Sequence, residues 1–289
     1  MSFSGTVKEE MAKHYSAARH CQIAELAALL HFCGQYGIAS DGTLTIGFQT
    51  ENEGVVRKGF TLLKKAYNIE NGAALSKEQF EGLFQKIGPL KEPVGGLLLR
   101  QNCCRRAFLR GAYLSVGSMS DPSKGYHLEF DCDDARKAAQ LQEVMASFDI
   151  ESRVIQRKKY YVVYLKEGSA IADLLNVCEA PIALMEFENR RILREIGNSI
   201  NRRVNCEAAN IVKTVNAASR QVEDIRFLQE NYGLQNLPEN LREMALIRLE
   251  YPDLPLKDLG EFFSTPIGKS GVNHRLRKLS ELADKVRNT

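Results

Sequence analysis

Two stretches of this chain share one layout, and that repetition constrains the fold more than any other feature. "AELAALLHFCGQYG" (24–37) and "AFLRGAYLSVGSMSDP" (107–122) each read as an apolar helix with small residues at regular intervals, closed by Gly34 or Gly117. Leu26-Ala27-Ala28-Leu29 falls opposite Leu109-Arg110-Gly111-Ala112. A turn follows each glycine, "ASDG" (39–42) and "SDPSKG" (120–125), and a strand follows each turn. In "TLTIGFQ" (43–49) Leu44, Ile46 and Phe48 alternate; in "YHLEFDC" (126–132) Tyr126, Leu128, Phe130 and Cys132 do the same. A period of two marks a strand with one buried face. Each strand leads to a helix, and the two helices end on similar words, "KKAYNIE" (64–70) and "MASFDIE" (145–151). The second block continues with a hairpin, "SRVIQRKKYYVVYLKEG" (152–168), turning at Lys158-Lys159, and a helix, "SAIADLLNVCE" (169–179). The first is less clear beyond residue 76, and "QKIGPLKEPVGG" (85–96) reads as the connector between copies. An ordered set of matches of this kind is the signature of an internal repeat.

From Pro181 the character changes. Residues 181–221 are helical, polar and Asn-rich without strand signals, and read as a linker region; all that follows is helical. Residues 255–287 have the pattern of a helix-turn-helix. Its first short helix presents Leu256, Leu259, Phe262 and Phe263, with Gly260 permitting close helix contact. Thr265-Pro266 breaks that helix, because proline lacks an amide donor and restricts its predecessor. Ser270 is placed to cap the second helix. There Val272, Leu276, Leu279 and Leu282 make an apolar stripe, with Val286 one turn further on. Lys269, Ser270, Asn273, His274, Arg275, Arg277 and Lys278 are then the expected DNA contacts, since a recognition helix reads bases with its N-terminal residues and neutralises phosphates with its basic ones.

The charge distribution agrees with a local reader. The chain of 289 residues has 39 basic and 36 acidic side chains, a net charge of +3, which excludes a generally cationic surface. Residues 269–289, however, hold Lys269, Arg275, Arg277, Lys278, Lys285 and Arg287 against only Glu281 and Asp284. Two further basic runs are "RQNCCRRAFLR" (100–110) and "NRRILREIGNSINRR" (189–203), the latter able to lie along phosphate backbone. Seven cysteines, an odd number with no CxxC pair, imply reduced thiols in a cytoplasmic protein. Cys103-Cys104 reads as two helix positions rather than a redox device. The opening "MSFSGTVKEEMAKHYS" is too polar for a signal peptide, and no apolar run has the roughly 20 residues that span a bilayer. There is no P-loop, no HExxH, and no GxGxxG after a strand. No cofactor, metal or membrane is expected.

The two glycine-closed helices resemble the LAGLIDADG motif of homing endonucleases, "LAALLHFCG" (26–34) and "LRGAYLSVG" (109–117) matching its length and final glycine. The resemblance implies that the helices pack at a pseudo-twofold axis, with Ala24, Ala28 and Gly34 facing Ala107, Gly111, Ser115 and Gly117. It also places the motif's metal-binding acid on Cys33 and Val116, and its first acidic position on His31 and Leu114. None of the four is a carboxylate, so the helices are expected to be scaffolding, with His31 and Cys33 packed rather than ligating. On the saddle of the sheet the outward set is His127, Glu129 and Asp131, followed by Asp133; its carboxylates would repel phosphate, while Arg153, Arg157, Lys158 and Lys159 would attract it.

A degenerate LAGLIDADG domain followed by a helix-turn-helix resembles the WhiA family of bacterial regulators. The most specific stretches are "FLRGAYLSVGSMSDPSKGYHLEF" (108–130), "NRRVNCEAANIVKTVNAASRQVEDIRFL" (201–228) and "KSGVNHRLRKLSELA" (269–283). The resulting expectation is an α+β protein with two αββαββα-type halves, residues 1–90 and 91–200, a linker at 201–221, and an all-α helix-turn-helix domain at 222–289. The resemblance implies a non-enzymatic, nucleoid-associated regulator of cell division and chromosome segregation and, in sporulating actinobacteria, of sporulation-specific transcription. Its partners would be double-stranded DNA and another transcription or division factor. The alternative is an adaptor of the division machinery with weak or incidental DNA binding.

Overall fold

The computed structural model describes residues 2–38, 42–70 and 75–288, which form two compact units, 1–195 and 196–289. In the first unit the order is α1 (Phe3–Lys13), α2 (Arg19–Cys33), β1 (Gly34–Ile38), β2 (Leu44–Phe48), α3 (Glu53–Tyr67) and α4 (Lys77–Ile87). The second copy follows as α5 (Asn102–Val116), β3 (Gly117–Met119), β4 (Leu128–Cys132), α6 (Ala135–Ala146), β5 (Arg153–Arg157), β6 (Tyr160–Leu165) and α7 (Gly168–Val177). It is a complete αββαββα unit. α8 (Pro181–Asn231) crosses the boundary between the units, and α9 (Glu239–Glu250), α10 (Leu256–Leu259) and α11 (Lys269–Arg287) complete the second.

The repeat is visible in detail. α2 and α5 pack together at the centre, each buried over most of its length, largely by apolar residues but with Glu25, His31 and Arg110 among them. Gly111 makes the packing possible: a Cβ there would lie 2.6 Å from the Glu25 carbonyl oxygen and 2.8 Å from the Ala28 Cβ. The closing glycines serve another purpose. Both leave the helix with extended backbone, and a Cβ at Gly34 would meet the Leu30 carbonyl oxygen at 2.4 Å, one at Gly117 the Tyr113 carbonyl oxygen at 2.7 Å. The chain therefore passes from helix to strand without a loop. The helices end at these glycines as the sequence predicts, but β1 and β3 stand where only a turn was expected to follow. Part of the turn expected at 39–42 lies outside the described residues.

The similar words that end α3 and α6 are helix stops. Asn68 and Asp149 both adopt the left-handed conformation, φ 58° and 59°, which short polar side chains tolerate. Each delivers the next residue, Ile69 or Ile150, into the core. The second copy's sheet is antiparallel in the order β3-β4-β6-β5. Leu128, Phe130 and Cys132 face inward, with Phe130 opposite Val163. The first copy's sheet pairs β1 with β2 antiparallel, Tyr36 opposite Ile46, and an isolated bridge joins Leu44 to Leu75. It lacks the second hairpin among the described residues.

The stretch expected as a linker, 201–221, is helical throughout, within the 51 residues of α8. Among the described residues, no helix is long and apolar enough to cross a membrane.

Candidate nucleic-acid interface

The second unit builds its core from Ile225 and Leu228 of α8, Leu241, Met244, Ala245 and Ile247 of α9, Leu259, Phe263, and Val272, Leu276, Leu279 and Ala283 of α11. The spacing of the α11 residues puts all four on one face of the helix. Asn273 and Arg277, and His274 and Lys278, each one turn apart, are left exposed on the opposite side with Lys269 and Ser270.

Three details differ from expectation. Phe262, assigned to the core of the helix pair, is 48% exposed and stacks on Tyr251 at 4.4 Å, while Phe263 is buried. Leu256 is only partly buried. α10 stops at Leu259, the chain continues as a 3-10 turn over Gly260–Phe262, and Phe263 is extended, so the helical phase that grouped Phe262 with Leu259 is lost. Ser270 is not an N-cap, because α11 begins one residue before it with Gly268 in the cap position. Gly260 is required by the turn: a Cβ would lie 2.1 Å from the Ile267 carbonyl oxygen.

At the start of α11 the Gly271 and Val272 amides bond to the Gly268 carbonyl, at 2.9 and 3.2 Å, and no side chain caps the Lys269 and Ser270 amides before them, the arrangement that receives a phosphate oxygen. The turn before it is held by Glu243, which accepts from the Ser264 amide at 2.8 Å and the Ser264 hydroxyl at 2.5 Å. Those hydrogen bonds hold the Glu243 carboxyl below the usual glutamate range. The basic residues divide by role. Arg275 lies over the Phe263 ring at 4.6 Å. Arg287 pairs with buried Asp224 at 2.8 Å and with Asp284 at 3.2 Å, fastening α11 to α8. Arg277 pairs with Glu281 at 3.2 Å across one turn, in the open. Lys269 and Lys278 have no partner among the described residues. The outward charge is thus narrower than the sequence count of Lys and Arg suggests.

Most arginines of the other basic runs have partners within the protein, while Arg100 and Arg202 are exposed. Arg105 donates to the Leu99 carbonyl, Arg106 lies over Phe148, and Arg110 is fully buried. In the 189–203 run Arg190 pairs with Asp121 and Glu186, Arg191 with Glu188 and Glu195, and Arg203 with Glu207. On the saddle, Arg157 and His127 both reach Glu129, at 3.4 and 3.0 Å. Burial, and then the neighbouring Glu129, hold the Asp131 carboxyl above its ordinary range. That face carries both signs.

At the centre of the first unit, Cys33 donates to the Leu29 carbonyl at 3.2 Å and to Ser115 at 3.4 Å, and Val116 is half-buried. His31 is buried between the carbonyl oxygens of Glu92 (2.7 Å) and Ile87 (2.9 Å), and Leu114 is sealed in the core. What sequence reasoning missed is a buried charge network near the middle of the helices. Glu25 of α2 meets Lys58 of α3 at 2.5 Å and Arg110 of α5 at 2.9 Å; Arg110 continues to Glu179 at 2.5 Å. Lys58 also donates to the carbonyls of Met11 and His14, both at 2.6 Å. Burial pulls the Lys58 ammonium down to about 8, against the opposing pull of Glu25. A charged residue in an apolar stripe was the one available signal.

Known proteins match the chain along almost its whole length. Residues 19–79 match the WhiA N-terminal LAGLIDADG-like domain, 105–197 the WhiA LAGLIDADG-like domain, and 200–283 the WhiA C-terminal HTH domain. A protein of Lachnoclostridium phytofermentans named probable cell division protein WhiA is 49% identical, over 99% of this chain and 100% of its own. One of the same name from Alkaliphilus oremlandii is 45% identical, over 99% and 98%. The crystal structure of full-length DUF199/WhiA from Thermatoga maritima superposes with a TM-score of 0.58 at 26% identity, over 99% of both chains.

Proposed function

The chain belongs to the WhiA family, and from that premise we propose that it is a sequence-reading DNA-binding regulator acting in cell division and chromosome segregation, without nuclease chemistry. The observation that carries this reading is α11: an apolar face anchored in its own core, an uncapped N-terminus, and Lys269, Ser270, Asn273, His274, Arg277 and Lys278 exposed together. Arg275 is the positioning member, its guanidinium held over Phe263. Asn273 and Arg277 are of the types that read adenine and guanine edges, and Lys269 and Lys278 suit phosphates. A single helix-turn-helix reads a short half-site, so a second contact, from a partner factor or another copy, completes the target. In this reading residues 222–289 contact the DNA, and the protein works in the cytoplasm on the nucleoid.

The first unit is scaffold in this reading. Cys33 and Val116 stand where the nucleases of this fold hold their metal-binding acids. Mg²⁺ takes oxygen ligands, and neither a thiol nor a hydrocarbon supplies one. The donors present at these positions therefore do not fit the metal that cleavage needs.

A second reading, an adaptor that binds DNA only weakly, is favoured by Glu129 and Asp131 on the saddle and by the internal pairing of most arginines outside α11. A gel shift on a pool of random duplexes with Mg²⁺, titrated with salt and followed by sequencing of the bound fraction, separates the two. An enriched motif in uncut DNA is the expected result. No binding at any salt overturns the reading in favour of the adaptor, and cut DNA overturns the scaffold assignment.

A further inference from the structure

The 83-residue offset that aligns Gly34 with Gly117 also aligns His20-Cys21 with Cys103-Cys104. These pairs occupy the second and third positions of α2 and α5, and the tertiary packing brings them together. The His20 Nδ1 lies 3.2 Å from the Cys104 Sγ, 3.3 Å from the Cys21 Sγ and 4.0 Å from the Cys103 Sγ. All four potential ligand atoms lie within 4.8 Å of one another, and no other such group of three or more His, Cys, Asp or Glu exists among the described residues. We propose that His20, Cys21, Cys103 and Cys104 form a Cys₃His site for a zinc-class ion, tying together the N-terminal ends of the two central helices.

The dimensions support this. A tetrahedral ion with bonds of about 2.3 Å to sulfur and about 2.05 Å to nitrogen separates those ligands by about 3.6 Å, and two sulfurs by about 3.8 Å. The three N···S distances bracket the first value, so small side-chain adjustments complete the tetrahedron. The donor set selects the metal: three thiolates and an imidazole exclude Mg²⁺ and Ca²⁺, and four protein ligands leave no open position, as in structural zinc sites. Three thiolates around a dication leave one negative charge, which the N-terminal dipoles of α2 and α5 stabilise. Neither helix has a side-chain cap that competes for those amides. Beneath the site, Cys21, Ala24, Cys104 and Ala107 form a small apolar cluster of their own, which lets the two helix ends approach. Cys21 and Cys104 are buried, whereas His20 and Cys103 are exposed, so an ion can enter from solvent. The expected role is structural, a latch at the N-terminal ends of two helices that are joined further along by packing and by the Glu25–Arg110 pair.

The site is independent of DNA binding and is tested apart from it. The full chain is purified reduced, stripped of metal, and titrated with Co²⁺. One equivalent is expected to bind with a thiolate-to-cobalt charge-transfer band and tetrahedral ligand-field bands, and Zn²⁺ is expected to displace it. Zinc should also raise the melting temperature. Cys103→Ser, at the exposed ligand and so least disruptive to folding, should weaken Co²⁺ binding at least about tenfold, the loss that even disturbing the partners of a ligand typically causes. Cys206→Ser, at an exposed cysteine of the other unit, should leave it unchanged. A weak spectrum without the charge-transfer band overturns the proposal, as does a band that survives both Cys103→Ser and Cys104→Ser. A disulfide from Cys21 to Cys103 or Cys104 in protein from the cytoplasm, with no Co²⁺ binding after reduction, overturns it as well.

Discussion

Replacing Gly111 by alanine tests whether the close approach of α2 and α5 holds the first unit together. The new Cβ would lie 2.6 Å from the Glu25 carbonyl oxygen and 2.8 Å from the Ala28 Cβ. Carbon atoms in contact sit about 3.5–4.0 Å apart, so the helices must part by roughly 1 Å. A gap of about 0.5–1 Å forfeits a quarter to a half of each dispersion contact it opens. Overpacking of this kind costs about 1–3 kcal/mol. Alanine also favours helix over glycine by up to about 1 kcal/mol, which would mask part of the penalty. Gly82 supplies the control: it lies within α4, and a Cβ there meets nothing within 4 Å. Gly82→Ala gains the propensity alone, so the difference between the two variants isolates the packing cost. For a unit of this size about 1 kcal/mol moves the melting temperature by about 2–4 °C, so Gly111→Ala should melt between about 2 and 12 °C below Gly82→Ala. Scanning calorimetry of the full chain measures this directly. If Gly111→Ala melts at or above Gly82→Ala, the helices do not pack as argued.

Three further outcomes are expected. Removing Lys269 and Lys278 together should flatten the salt dependence of DNA binding by about 0.9 for each lost phosphate contact in a plot of log affinity against log salt; fluorescence anisotropy at several salt concentrations reads this, and an unchanged slope removes both residues from the phosphate backbone. Glu25→Gln takes the carboxylate from buried Lys58 and leaves Arg110 with Glu179 alone, and should destabilise the first unit by about 3–5 kcal/mol in urea unfolding, whereas a loss no larger than that of Arg203→Ala, whose partner Glu207 is at the surface, would mean the network contributes little. Lys58 titrates at about 8 in the folded chain against an ordinary 10.5, so between these values the unfolded chain binds more protons and stability rises with pH. The stability of the native chain minus that of Lys58→Met should therefore grow from pH 8 to pH 10.5, and a constant difference would contradict the burial argument.

Much of this molecule is determined locally. The alternation at Leu128, Phe130 and Cys132 made a strand wherever it was placed, because period-two burial suits only extended chain. The stripe Val272, Leu276 and Leu279 likewise determined which side of α11 faces outward, and so which basic residues are available. The repeat of small residues and closing glycines carried the family resemblance and the two-half architecture. Other features depend on residues that no local pattern connects. Arg110 stood in a basic run and reads as surface charge, but the partner helix brings Glu25 against it and the pair is buried. Phe262 and Phe263 were equivalent in the sequence; the short 3-10 turn after Leu259 sent one inward and left the other exposed. His20 and Cys21 carry no signal beside each other, and Cys103 and Cys104 very little. Only the pseudo-twofold packing of α2 on α5 places the four together, since hydrophobic periodicity specifies which face of a helix is buried and not which end of another helix it will meet.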